Sequence, residues 1–303
     1  MKNIIYEMND PEPIQHVGFG CVALTRSASA SQALKLLETA YDNGIIHFDT
    51  APLYGQGYSE KIVGAFIRRK REYVTVTSKF GLGGSQNNVM PAWMALPLNS
   101  LKKKILKPVS SAKPSEKSIP VKLPYRKILL ADVKNSFNKS MQYLKTDYLD
   151  YYLLHEGMPH FLAEGVFEFL SEKKAKGIIR QIGIGCNAVN FLESNSSEIK
   201  GWDLLQYKRE DLLNTNKVTN LFPQLNHIQH SIFKNVHLQL MKEPLNDAIK
   251  GALLALAVKQ NPQGKILFST SKLKHLVSNI KAFNQQISLS EADLTEIISN
   301  AFH

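Results

Sequence analysis

The sequence predicts an α/β fold of the (β/α)8 TIM-barrel type, organised as a single domain over residues 1–303. Short β-branched, apolar runs alternate with stretches whose apolar residues have helical spacing, which is typical of repeated βα units and a parallel sheet. The chain has 44% hydrophobic residues, enough for one large core at this length, so a second domain is not required.

Eight strands are expected, because that number closes a barrel of this type. The run 226–233 is the weakest candidate, since polar residues interrupt it, and it is assigned partly to complete the barrel. The predicted strands are 16–22, 45–51, 73–80, 148–156, 179–186, 203–207, 226–233 and 265–271.

Helical patterns lie between these strands. Gly44 is expected to end the first helix in the left-handed conformation, and Ser59 is expected to cap the N-terminus of the second. A Ser, Glu, Asp start signal at 290–293 predicts an added C-terminal helix beyond the eighth unit. The predicted helical stretches are 31–44, 59–70, 163–177, 244–260, 272–283 and 290–302.

The alternation of strand and helix patterns is interrupted at residues 82–127, a long basic insertion after the third strand. It carries nine Lys or Arg residues against one acid, Glu116, and therefore +8 of the net +11 of the chain. The insertion follows the C-terminal end of a strand, the active-site face of a barrel, so it could fold over the substrate. The alternatives are a solvated, partly disordered loop, a docking arm for a partner, and a patch that contacts an anionic membrane.

Several classes of protein are not expected. No run approaches the length of a transmembrane helix and no signal peptide is visible, so we expect a cytoplasmic protein. The two cysteines, Cys21 and Cys186, form no CxxC pair and are expected to be free thiols, and no metal site is predicted. No nucleic-acid module surrounds the basic charge, so nucleic acid is not an expected partner.

Four ionisable residues follow or end apolar strands at the predicted mouth of the barrel: Asp49, Tyr54, Lys79 and His155. Such groups are costly to bury unless they meet one another or a ligand. We expect the Lys79 ammonium to make the Tyr54 phenol more acidic, Asp49 to keep Lys79 charged, and His155 to hydrogen-bond the substrate oxygen. None of the four is a redox group, so a hydride would have to come from a cofactor.

Four blocks in the same order, at 44–60, 77–81, 148–156 and 183–187, resemble those of the aldo-keto reductase superfamily. The resemblance covers nearly all of the chain apart from the basic insertion. It implies that Asp49, Tyr54, Lys79 and His155 form a catalytic tetrad. It also implies NAD(P)H-dependent reduction of an aldehyde or ketone, of which a sugar is one example, or the reverse reaction.

The same resemblance implies where the nicotinamide cofactor binds. The implied cofactor residues are Gly20, Cys21, Asp49, Cys186, Asn187, Gln206, Arg209, Ser231, Ser269, Thr270, Ser271, Lys272, His275 and Asn279. Cys186 stands where the family has a serine, and Arg209 stands where a tyrosine stacks on the nicotinamide. Lys272, Lys274 and His275 suit a 2′-phosphate, so NADPH is favoured, with NADH as the alternative.

These departures leave a second functional hypothesis open. The chain could be a barrel that binds NADPH as a sensor or regulatory subunit with little turnover. An intact set of four catalytic groups argues against that alternative.

Overall fold

The computed structural model describes residues 12–82, 127–186, 196–209, 216–233 and 245–300. Within them, eight parallel strands pair in chain order, and the eighth pairs with the first to close a barrel. The strands are β1 (Val17–Gly20), β2 (His47–Asp49), β3 (Thr75–Phe80), β4 (Leu149–His155), β5 (Ile179–Gly185), β6 (Leu204–Lys208), β7 (Asn226–His230) and β8 (Lys265–Phe268). The predicted fold class is confirmed, and no observed strand extends more than one residue beyond its predicted range.

The helices surround the barrel and complete its outer layer. Short 3-10 helices occur at Pro13–His16, Cys21–Arg26, Arg71–Tyr73, Pro159–Phe161 and Ser196–Ile199. The α-helices are α1 (Ala30–Asp42), α2 (Tyr58–Ile67), α3 (Leu130–Leu144), α4 (Val166–Ala175), α5 (Asn216–Leu221), α6 (Asp247–Lys259), α7 (Leu273–Gln286) and α8 (Glu291–Ser299).

Local signals at the helix ends were mostly correct. Gly44 follows α1 with a φ of 90°, as predicted. Ser290 and Asp293 form a reciprocal capping box at the start of α8, the added C-terminal helix. The prediction for Ser59 is wrong: α2 begins at Tyr58 after Gly57, and the Ser59 side chain is buried inside the first turn.

Helix α3, like the short helix α5, is missing from the predicted helices. It packs against α2 and buries Val133, Phe137 and Leu144, but polar residues separate these positions and weaken the apolar pattern. Its amphipathic face is completed by contact with the barrel, which is a tertiary effect.

The core has two parts, one inside the barrel and one between the strands and the helices. Leu153, Leu204, Ile228 and Leu267 form the inner cluster. An added Cβ at Gly183 would lie 2.5 Å from Leu204 and 2.6 Å from Leu153, so a glycine is needed for the inner layer to close. This packed floor leaves open space at the C-terminal ends of the strands.

Most of the basic insertion, residues 83–126, lies outside the described residues, so the expectations about its role remain predictions. None of the helices in the described part of the chain combines the length and the apolar character needed to cross a membrane.

Candidate active site

A cavity of about 820 Å³ opens at the C-terminal ends of the strands. All four residues of the predicted catalytic set line it, from the ends of β2, β3 and β4 and from the loop after β2. Its lining residues are Gly20, Val22, Arg26, Asp49, Tyr54, Lys79, His155, Glu156, Gly185, Gln206, His230, Ser231, Ile232, Phe233, Leu245, Lys250, Leu267, Phe268, Ser269 and His275.

A buried ion pair lies at the base of the cavity. The Lys79 ammonium is 2.6 Å from Asp49 Oδ1, and both side chains are at most 5% exposed. The ammonium also donates a 3.0 Å hydrogen bond to the carbonyl of Thr50, and the Gln206 amide donates to Asp49 Oδ2 at 2.7 Å. Burial lowers the pKa of Lys79, but the charge and hydrogen bonds of Asp49 and Tyr54 outweigh it, so the pKa is raised and the amine stays charged.

Tyr54 lies beside this pair on the loop after β2. Its ring centroid is 5.2 Å from Lys79 Nζ, and Gly55, Gln56 and Gly57 turn the chain after it with positive φ angles. Burial raises the pKa of Tyr54, and the Lys79 ammonium offsets only part of that rise. The ammonium thus acts on the phenol pKa in the expected direction, but the burial of the hydroxyl outweighs it and the net pKa of Tyr54 is raised.

His155 faces Tyr54 across the cavity, with ring centroids 5.9 Å apart at 87°. Burial, together with the positive charge of Lys79 and the nearby His230, lowers the pKa of His155 to about 3. The imidazole is therefore neutral near pH 7 and offers one N–H donor and one acceptor nitrogen. It can hydrogen-bond an oxygen in the cavity without adding a charge.

The comparisons agree with this geometry. The sequence profile of the aldo/keto reductase family matches residues 16–238. The chain belongs to this family. Its members are oxidoreductases, and a closed parallel barrel with the four polar groups at its mouth is consistent with that assignment.

Individual proteins are also similar in sequence to this chain, one of them over nearly its whole length. The uncharacterized oxidoreductase YqkF of Bacillus subtilis is 25% identical over 289 residues, which cover 94% of this chain and 79% of that protein. The D-threo-aldose 1-dehydrogenase of a Pseudomonas species is 29% identical over 186 residues, covering 57% of this chain and half of that protein.

Solved structures show the same fold. The aldo-keto reductase AKR11C1 from Bacillus halodurans, in its holo form, superposes with a TM-score of 0.64 at 18% identity, covering 94% of this chain and 91% of that one. An aldo-keto reductase from Klebsiella pneumoniae in complex with NADPH superposes with a TM-score of 0.60 at 18% identity, covering 95% and 91%. At this identity the likeness carries the fold alone.

Only part of the cofactor set implied by the family lies at the cavity. Asp49 lines it as the partner of Lys79, and five other members do so too: Gly20, Gln206, Ser231, Ser269 and His275. Thr270, Ser271, Lys272 and Asn279 follow on the segment after β8 but are not among the lining residues. Asn187 lies outside the described residues.

The two residues that depart from the family pattern are buried away from the lining. The Arg209 guanidinium is 2% exposed and donates to Gln229 at 2.9 Å and to Gln260 at 2.7 Å. It is held by side chains outside the cavity, so this geometry gives no support to stacking on a nicotinamide. Cys186 is also buried, and its thiol lies 3.9 Å from the sulfur of Met158.

Several lining residues were not recognised in the sequence. Glu156 and His230 lie at the ends of β4 and β7, and each is next to a residue that was predicted, His155 and Ser231. Glu156 has a positive φ of 49°, and Ser231 has one of 63°. Non-glycine residues with strained backbone cluster at functional sites, but such strain is invisible in a sequence. Arg26 and Lys250 carry no motif that could have placed them at the cavity.

Proposed function

We propose that this protein reduces an aldehyde or ketone to an alcohol, with NADPH as cofactor and Tyr54 as proton donor. The observation that carries the proposal is the Lys79 ammonium, which is held by Asp49 at 2.6 Å and lies 5.2 Å from the centroid of the Tyr54 ring inside the cavity. When bound, NADPH supplies the hydride for the carbonyl carbon. The protein's own groups then have to supply a proton to the carbonyl oxygen.

Tyr54 suits that task because its phenol, whose pKa burial raises, carries its proton at neutral pH and lies beside the Lys79 ammonium. After it donates its proton, the adjacent Lys79 ammonium stabilises the phenolate, and Asp49 keeps that ammonium charged and in place. The neutral His155 can donate its N–H to the same carbonyl oxygen and orient it toward Tyr54.

Basic and polar groups near the end of β8 support NADPH over NADH. Ser269 and His275 line the cavity, and Lys272 and Lys274 are exposed on the same segment, where they could bind a 2′-phosphate.

The proton-donor role can be tested by turnover on a panel of aldehydes and ketones, followed through oxidation of NADPH. We expect Tyr54→Phe to lower kcat by about 100-fold or more while the affinity for NADPH, measured by fluorescence, is retained. Tyr58→Phe is the matched control, since Tyr58 lies on the same segment and its buried hydroxyl has no partner among the described residues. Equal kcat for Tyr54→Phe and wild type would refute the mechanism, and tight NADPH binding without turnover on any carbonyl would identify a regulatory barrel.

The cofactor preference has its own test. We expect Lys272→Ala and His275→Ala to raise the Kd of NADPH by about tenfold, since a hydrogen bond to a charged group is worth about 1.5–3 kcal/mol. The Kd of NADH should change much less. Equal loss of affinity for both cofactors would contradict a 2′-phosphate site at these residues.

A further inference from the structure

The Lys79 ammonium is oriented by the backbone as well as by Asp49. An ammonium has three N–H donors. One is directed to Asp49 Oδ1 at 2.6 Å and a second to the Thr50 carbonyl at 3.0 Å. The third remains for Tyr54, whose ring centroid lies 5.2 Å from Lys79 Nζ and whose proximity helps to raise the pKa of the ammonium. The direction of the Thr50 carbonyl therefore helps to decide where the third donor points.

The Thr50 residue is itself fixed by Ser59. Thr50 Oγ1 donates to Ser59 Oγ at 2.8 Å, and Ser59 Oγ donates in turn to the carbonyl of Cys21 at 3.1 Å. The backbone N–H of Ser59 donates to the carbonyl of Tyr54 at 3.2 Å. One buried serine thus joins the loop after β1, the residue after Asp49, and the loop that carries the proton donor.

We propose that Thr50 and Ser59 are positioning residues that direct the Lys79 ammonium at the Tyr54 hydroxyl. Both side chains are fully buried, and neither residue is among those that line the cavity, so neither touches the substrate. They act by fixing the positions of the Thr50 carbonyl and of the Tyr54 loop relative to the Lys79 ammonium. A displacement of about 1 Å at a reacting group costs up to about 100-fold in rate, so this support matters for turnover.

The proposal rests on the proposed function for its kinetic consequence but has a readout that needs no turnover. The Cζ resonance of Tyr54, seen by NMR with [13Cζ]tyrosine and assigned with Tyr54→Phe, reports the hydrogen bond to its hydroxyl. Lys79→Met defines the position of that resonance without the ammonium. We expect Thr50→Val and Ser59→Ala to move the resonance part of the way toward the Lys79→Met position.

Two further variants serve as controls. Thr50→Ser keeps the hydroxyl and should leave the resonance at the wild-type position. Thr75→Val removes a hydroxyl that bonds His47 at 2.8 Å at the opposite end of β3, and it should also leave the resonance unchanged. In turnover, Thr50→Val and Ser59→Ala should lower kcat by about tenfold or more with less than about a twofold change in KM for cofactor, because the reacting groups lose their alignment.

A Tyr54 resonance that stays at the wild-type position in both folded variants would overturn the proposal, whatever their kcat. So would a kcat in Thr50→Val equal to that of Thr75→Val in a turning-over enzyme. Absence of turnover in the wild type would instead refute the proposed function and leave the resonance test intact.

Discussion

The side-chain amide of Gln206 donates a 2.7 Å hydrogen bond to Asp49 Oδ2 across the mouth of the barrel. Lys79 occupies the other oxygen of the same carboxylate. The family resemblance implied that Gln206 contacts the cofactor; in this structure it lines the cavity and its amide also binds the buried aspartate. Asp49 is therefore held from both β3 and β6.

Replacing Gln206 by Leu should destabilise the protein. The change removes the donor to Asp49 Oδ2, and a buried acceptor that loses its partner costs about 1–3 kcal/mol. Urea unfolding measures the loss. Gln181→Leu on the neighbouring strand is the control, since Gln181 accepts an exposed hydrogen bond from Asn226. Equal losses of unfolding free energy in the two variants would show that the buried bond to Asp49 stabilises the protein no more than an exposed one.

Replacing Lys79 by Met should lower the free energy of unfolding more than Gln206→Leu does. It leaves Asp49 as a buried charge without its cation, which typically costs about 3–5 kcal/mol. Removing the charge as well, in the double variant Asp49→Asn with Lys79→Met, should restore most of the free energy of unfolding, although neither variant should turn over a carbonyl. Urea unfolding at neutral pH compares the two. A single variant as stable as the double variant would contradict the picture of a mutually dependent pair.

His155 should make the protein less stable in acid. Its pKa is lowered to about 3 in the folded state, whereas an unfolded histidine titrates near about 6.5. Between these values the unfolded chain binds more protons than the folded one, so stability rises with pH and is lost as pH falls below about 6.5.

The slope that this histidine contributes is at most about 1.4 kcal/mol per pH unit, and the partial exposure of the ring reduces it. In His155→Gln the free energy of unfolding should therefore fall less steeply between about pH 6.5 and pH 4. Urea unfolding across that range tests this, and identical slopes in variant and wild type would mean that the pKa of His155 is not lowered in the folded state.

The spacing of apolar residues and the alternation of strand and helix patterns along the chain were sufficient to predict the barrel. Each strand run is set by local residue types, and even the polar run at β7 (Asn226–His230) became predictable once the other seven strands required an eighth. That Asp49, Tyr54, Lys79 and His155 would lie at one cavity was predictable for a related reason. In parallel strands the C-terminal ends all meet at one edge, so polar groups that end strands converge there.

Three features that the sequence did not reveal have a common cause, because the burial of a side chain depends on tertiary contacts. Ser59 has the chemistry of a helix cap, but a fully buried position between two loops gave its hydroxyl other partners. The net pKa of Tyr54 depends on how much solvent is removed from its hydroxyl, and a sequence does not contain that quantity. Arg209 lies at the expected position along the chain but is held by glutamines that come from β7 and from the end of α6.

Residues at the end of the barrel opposite the cavity should affect the stability of the protein and leave its cofactor binding unchanged. Asp150 on β4 is 1% exposed, accepts from Arg71 at 2.7 Å and from Arg180 at 2.9 Å, and also accepts the backbone N–H of Val76 at 2.9 Å. The two guanidinium groups lie 3.6 Å and 4.4 Å from the centroid of the Tyr148 ring. One carboxylate thus ties together β3, β4 and β5.

The two arginines should nevertheless contribute unequally. The Arg71 side chain is 15% exposed and that of Arg180 is 58% exposed, so solvent screens the second pair far more than the first. We expect Arg71→Ala to cost about 3–5 kcal/mol, because Asp150 is left buried beside a single screened cation. Arg180→Ala should cost less than about 1 kcal/mol. Urea unfolding ranks the variants, and KM for cofactor should match wild type in both, because these residues lie at the far end of the strands from the cavity. A larger loss in Arg180→Ala than in Arg71→Ala would show that burial does not set the strength of these pairs.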